Sequence, residues 1–156
     1  MTPDQVQLLT ESWERVKGRG DELLLRFYEH LFALDPTAHA LFGSTNMAAQ
    51  RQKFAGMVDA ILALRQEPRQ FVRSAVELGC RHQQYGVRAD QYETAGTALL
   101  LALRDVLGPE LTPAHRDAWI SGYKLVAAIM LRATRLRAEG PGRAMGAARA
   151  RSDSPA

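Results

Sequence analysis

Proline has no backbone N–H to give and a fixed φ, so an α-helix tolerates it only in its first turn. Five of the seven prolines in this 156-residue chain stand where a helix would begin or has just stopped. Thr2-Pro3-Asp4-Gln5 reads as a capping box with proline at the first helical position. Asp35-Pro36 and Thr112-Pro113 repeat the cap-plus-proline start, Pro68 opens another segment, and Gly108-Pro109 stops the one before it. Between these marks apolar residues recur at helical spacing, and alternating strand patterns are scarce.

The punctuation predicts an all-α chain of about seven helices. The first carries Val6, Leu9, Trp13 and Val16 and ends at Gly18 and Gly20. The second opens at Asp21, with Leu24, Leu25, Tyr28, Leu31 and Phe32 as its apolar stripe. A short third runs from Asp35-Pro36 to Phe42, and residues 43–46 read as a loop. A fourth spans 47–64, burying Phe54, Met57, Val58, Ile61 and Leu62. A fifth runs from Pro68 to near Gly86 with Phe71, Val72, Ala75, Val76 and Leu78 inward. A sixth covers 90–107, and the last extends from Thr112 through Trp119, Tyr123, Val126, Ile129 and Met130 to about Arg137. A four-helix bundle would have fewer and more equal helices.

Charge and cysteine use narrow the classes of function. The net charge of +3 comes from the tail, where five arginines from Arg135 onward face Glu139 and Asp153. The remaining acidic and basic residues balance at 15 each, so the body has no footprint for a phosphate backbone, and nucleic acid is not an expected partner. No apolar run reaches the ~18 residues of a membrane span. The N-terminus lacks a basic stretch followed by an apolar one, and Cys80 is the only cysteine, so a cytoplasmic location is expected. From residue 138 the composition turns to Gly, Pro, Ala, Arg and Ser, which predicts a disordered basic tail over 138–156 beside a folded domain over 1–137.

One constellation carries chemistry. His82 lies near the end of the fifth helix, in Glu77-Leu78-Gly79-Cys80-Arg81-His82-Gln83-Gln84-Tyr85-Gly86-Val87. Gln50 stands 32 positions upstream, Phe42 40 upstream, Tyr28 54 upstream, and Tyr92 10 downstream. His30 and His39 fall on short helices among polar residues, and His115 sits in a first turn, where capping is the simpler account.

These residues, with Phe27-Tyr28-Glu29-His30-Leu31-Phe32, Pro36 to Leu41-Phe42, Gln50 to Phe54, and Asp117-Ala118-Trp119 to Tyr123, resemble the globin family. The likeness covers roughly residues 1–136 and is strongest to single-domain bacterial haemoglobins and the haem domain of flavohaemoglobins. It implies a globin fold around a b-type haem (iron protoporphyrin IX), with His82 as the proximal iron ligand and Phe42 packed flat on the porphyrin. It implies Tyr28 and Gln50 as distal hydrogen-bond donors to a diatomic ligand, with Phe54 overhanging the iron. The loop before Gln50 is short. A shift of one turn would put Lys53 or Phe54 at that spot, and both registers stay open; in the first, Lys53 would reach a haem propionate. Met57, Leu78, Arg81, Tyr85, Val87 and Tyr92 complete the expected cofactor contacts.

The resemblance implies reversible binding of dioxygen, with nitric oxide and carbon monoxide as further ligands, in a monomer or homodimer. Two other readings stand beside it. One is a nitric oxide dioxygenase served by an external reductase, since no Gly-rich nucleotide fingerprint is present. The other is a haem-based gas sensor. In flavohaemoglobins a glutamate on the last helix joins the proximal histidine and tyrosine; here the corresponding count reaches Thr134.

Overall fold

The computed structural model describes residues 1–63 and 67–138. It contains six α-helices: α1 (Pro3–Lys17), α2 (Gly20–Leu34), α3 (Met47–Ala63), α4 (Pro68–Gln84), α5 (Ala89–Leu107) and α6 (Pro113–Ala138). The described residues also contain two 3-10 turns, Pro36–Phe42 and Gly108–Glu110, and no strand. The predicted short third helix is thus a 3-10 segment: Asp35 accepts from the Thr37 N–H, tightening its start, and Gly43 closes it. Leu64 and the predicted basic tail from residue 139 lie outside the described residues.

The starts follow the sequence closely. Thr2 Oγ1 accepts from the Gln5 N–H while Gln5 Oε1 accepts from the Thr2 N–H, so the reciprocal box forms. The two most extensive helix packings are α2 against α5 and α4 against α6, and α1 lies along α6. Trp13 and Val16 of α1, Leu23 and Leu24 of α2 and Leu103 of α5 are fully buried.

Two predicted inward residues are exposed. Leu25 and Val72 are 47% and 45% exposed. On α2 the buried stripe is Leu23, Leu24, Phe27, Tyr28 and Leu31, which leaves Leu25 one helical step past its edge. On α4 the buried positions are Ala75 and Gly79. A Cβ at Gly79 would stand 2.7 Å from the Met130 Cα and carbonyl oxygen, so the two backbones approach there.

Polar ties hold the layers in register. Trp13 Nε1 donates to Asp59 at 2.7 Å, linking α1 to α3, and Trp119 Nε1 donates to Ser12 at 2.9 Å, linking α6 to α1. His30 and Asp105 pair at 2.6 Å between α2 and α5. His115 is buried against the Thr112 cap, its Nδ1 2.7 Å from the hydroxyl, in line with the capping role expected of it. No helix among the described residues is long and apolar enough to cross a membrane.

Candidate functional site

The last turn of α4 is built to expose one side of His82. Gly86 has φ +82°, a left-handed conformation that favours glycine, and it ends the helix four residues after the histidine. The Val87 N–H then returns to the His82 carbonyl and the Gly86 N–H to that of Gln83, each at 3.0 Å. This double closure is the common glycine C-cap, and it folds Val87 back beside the imidazole.

The ring itself is oriented from within its own helix. His82 Nδ1 lies 3.0 Å from the Leu78 carbonyl oxygen. A carbonyl only accepts, so Nδ1 carries the proton and, in the neutral ring, Nε2 is left as a bare donor of electrons. Burial holds the His82 pKa below the ordinary imidazole range, and the positive Arg81 beside it acts in the same direction, while the Leu78 bond opposes them. The neutral form therefore prevails at neutral pH.

His82 lines an apolar cavity of about 380 Å³ with Phe54, Leu78, Val87 and Tyr92, which the sequence singles out. Phe27, Val58, Phe71, Ala95, Leu99 and Met130 also line it, and the sequence does not mark them as site residues. Of these, Ala95 and Leu99 follow Tyr92 at the spacing of one α5 face, which periodicity could have found. Phe71 and Met130 come from helices whose approach depends on the α4–α6 crossing, so no local signal marks them. Tyr92 stacks near His82, ring centroids 6.0 Å apart and tilted by 40°. The Tyr92 carbonyl accepts from the Tyr123 hydroxyl at 2.6 Å, whereas Thr134 turns its hydroxyl back to the Leu131 carbonyl.

Tyr28, Phe42 and Gln50 adjoin this cavity without lining it. Phe27, which does line it, packs edge-on against Tyr28 with centroids 4.9 Å apart, and tilts against Phe54 at 5.1 Å. Phe42 meets Tyr28 at 5.3 Å in another edge-on contact. Tyr28 is 5% exposed. Burial raises its pKa, and the nearby Gln50 side chain and the Arg51 charge pull the other way. Gln50, half-buried on the first turns of α3, is thus the α3 side chain beside the phenol, while Lys53 is exposed. Arg81 and Tyr85 are exposed as well and stand outside the cavity, and the Met57 side chain lies outside the described atoms.

The arrangement is an apolar slot with one bare imidazole nitrogen and, behind a phenylalanine pair, a phenol and an amide. It suits a flat apolar ligand that needs one nitrogen donor. Among the described residues no group of three or more His, Cys, Asp or Glu could hold a metal ion by itself.

Comparison with known proteins agrees in fold and in family. The globin family model matches residues 25–130. The chain is similar to the flavohaemoprotein of Bacillus subtilis (strain 168), 27% identical over 124 residues, which make up 78% of this chain and 31% of that protein. It is also similar to the anaerobic nitrite reductase HBII of Casuarina glauca, 30% identical over 145 residues, 83% of this chain and 91% of that one. A bacterial globin from Campylobacter jejuni superposes with a TM-score of 0.77 at 19% identity, over 88% of this chain and 99% of its own. The chain thus spans about a third of the length of the flavohaemoproteins it matches, and nearly all of the plant protein.

Proposed function

The chain belongs to the globin family, and from that premise we propose that it holds a b-type haem on His82 and binds dioxygen reversibly. The observation that carries this reading is the imidazole fixed by the Leu78 carbonyl, its unprotonated Nε2 at the wall of an apolar cavity. These residues fit the cofactor: a neutral imidazole is the nitrogen donor iron takes in this family, and the phenylalanine, leucine and valine walls match an apolar macrocycle. When bound, ferrous haem supplies an iron centre with affinity for diatomic gases.

The protein's own part is orientation, exclusion of water and hydrogen bonding. Phe27, Phe54 and Val87 keep the cavity dry. Tyr28 and Gln50 are neighbours on the α2–α3 side, and their O–H and N–H groups serve as donors to a polarised diatomic ligand. Carbon monoxide, which accumulates less charge, gains less from such donors. Phe42, which packs on Tyr28, would press on the cofactor from that side.

The nitric oxide dioxygenase reading draws support from the flavohaemoprotein relatives, and this chain would need a separate reductase for it. The proximal side favours simple gas binding instead. Thr134 bonds within its own helix, so no carboxylate from that position reaches His82 or Tyr92 to make the imidazole more basic.

Optical spectra of the protein loaded with haem test the proposal. The expected result is a five-coordinate ferrous spectrum that converts in air to a stable oxygenated one, and that His82→Ala abolishes. A six-coordinate ferrous spectrum would overturn reversible oxygen binding as the main activity, and failure to take up haem would overturn the whole reading.

A further inference from the structure

Gln91 is one of three buried polar side chains among the described residues, 4% exposed, and it lines the same apolar cavity as His82. An amide in an apolar wall is costly unless both of its ends are hydrogen-bonded. Here both are. Its Oε1 accepts from the Arg88 N–H at 3.0 Å, and its Nε2 donates to Asp35 Oδ2 at 2.8 Å. The first bond is the ordinary reach of a third helical residue back to the cap of α5. The second joins residues 56 positions apart and has no part in capping.

That second bond ties together two stretches of the site. Residues 85–88 follow α4 and carry Val87, which lines the cavity and whose N–H returns to the His82 carbonyl. Asp35 opens the 3-10 segment that carries Phe42, and its other oxygen accepts from the Thr37 N–H at 2.9 Å. The two stretches also approach at a second point, since a Cβ at Gly86 would stand 4.0 Å from Leu41 Cδ2. The Asp35 side chain is 14% exposed. The Thr37 hydroxyl and then the Gln91 amide hold its pKa below the usual aspartate range, so it is a carboxylate at neutral pH. The Arg88 guanidinium stands 4.0 Å from Asp35 and pairs more closely with exposed Asp90, at 2.9 Å, which leaves the amide as the short contact.

The residue type is informative. Glutamate caps as well as glutamine at this position, but it would set a second carboxylate against Asp35. Of the two, only glutamine accepts at one end and donates at the other. We propose that Gln91 is a positioning residue that locks the corner behind His82 to the segment bearing Phe42, and so fixes how the imidazole and the haem are seated on each other. This rests on the haem reading. Gln91 acts through what it holds, the Arg88 N–H next to Val87 on one side and the Asp35 carboxylate on the other.

The test compares two variants with wild type. Gln91→Glu keeps the cap and removes the donor, so it releases the lock alone. Asp35→Asn combined with Gln91→Glu exchanges amide and carboxylate and restores the pair. Resonance Raman of ferrous holoprotein reads the iron–histidine stretching band, haem loss is timed against excess apomyoglobin, and haem-free protein is unfolded in urea. Gln91→Glu should lose haem about tenfold faster, as for one charge-assisted hydrogen bond lost, and its iron–histidine band should shift. The exchanged pair should bring both back to wild type. Haem loss and band unchanged in Gln91→Glu would overturn the proposal and leave the haem reading intact. So would faster haem loss with the band in place and the haem-free protein equally destabilised, because Gln91 would then only support the fold. If Gln91→Glu does not fold, the exchanged pair decides: seating as in wild type supports the lock, and faster haem loss overturns it. A wild-type chain that takes up no haem would overturn both readings.

Discussion

A neutral imidazole has one nitrogen that bears a proton and one that does not, and at His82 the Leu78 carbonyl makes the choice. That single bond turns an ordinary residue type into a directed donor. Tyr28 is a buried phenol whose ionisation burial disfavours, so it keeps its O–H proton. Tyr28→Phe should leave haem uptake intact, speed oxygen dissociation roughly tenfold and leave carbon monoxide release nearly unchanged, since one hydrogen bond to a polarised ligand is lost. Stopped-flow displacement of oxygen measures this, and equal effects on both gases would mean that the ring only fills space. The histidine and tyrosine can be picked from the sequence because few residue types can do their work. Phe27 cannot, because a phenylalanine next to a tyrosine signals only a buried helix face.

At the scale of helices, glycine decides how closely two backbones meet. Gly79→Ala would drive its Cβ to within 2.7 Å of Met130 backbone atoms that cannot move aside. We expect a loss of about 1–3 kcal/mol in urea unfolding, as for overpacked cores. At Gly56, also within a helix, an added Cβ would meet no atom within 4 Å. Gly56→Ala should therefore add up to about 1 kcal/mol through helix propensity alone. A Gly79→Ala variant as stable as wild type would show that α4 slides freely on α6. The sequence pattern finds Ala75 but not Gly79, because it weighs apolar side chains and Gly79 makes its contact by having none.

The α1–α3 tie gives a pH effect at the same scale. The Asp59 pKa is held low, first by the Trp13 N–H and then by Lys17, against the opposing effect of partial burial. A carboxyl whose folded pKa is depressed binds fewer protons folded than unfolded, so its contribution is complete above the ordinary aspartate range. It is lost as pH falls through the depressed value. Asp59→Asn should therefore flatten the acid side of the stability curve below about pH 4. Asp59→Ala should cost about 1–3 kcal/mol at neutral pH, because the buried Trp13 N–H is left unpaired. Thermal melts from pH 3 to 7 separate the two variants; parallel curves for wild type and Asp59→Asn would remove Asp59 from the acid response.

The whole molecule is a set of paired helices with a cavity between them, so cofactor and fold should be linked. A ligand present at a thousandfold its Kd stabilises by about 4 kcal/mol. For a chain of this size that corresponds to roughly 10 °C in Tm. Removing haem should lower Tm by that order, and His82→Ala should melt like the haem-free protein whether or not haem is added. Removing residues 140–156 should change neither Tm nor oxygen affinity, which equilibrium titration would check. An altered affinity would give the arginine-rich tail a part in binding.

Proline placement, caps and the period of apolar residues act over a few neighbouring positions. The helix count, most helix limits and the place of His82 near a helix end therefore follow from the order of amino acids alone. The 3-10 form of residues 36–42 does not, because a cap and a proline serve either helix type equally well. What touches what across the interior depends on the angle and depth at which helices cross, and it emerges only on packing. Packing brought Gln50 rather than Lys53 beside Tyr28 and left Leu25 and Val72 exposed. Local chemistry writes the elements, while the crossings belong to residues far apart in the chain that meet only once all six helices are packed.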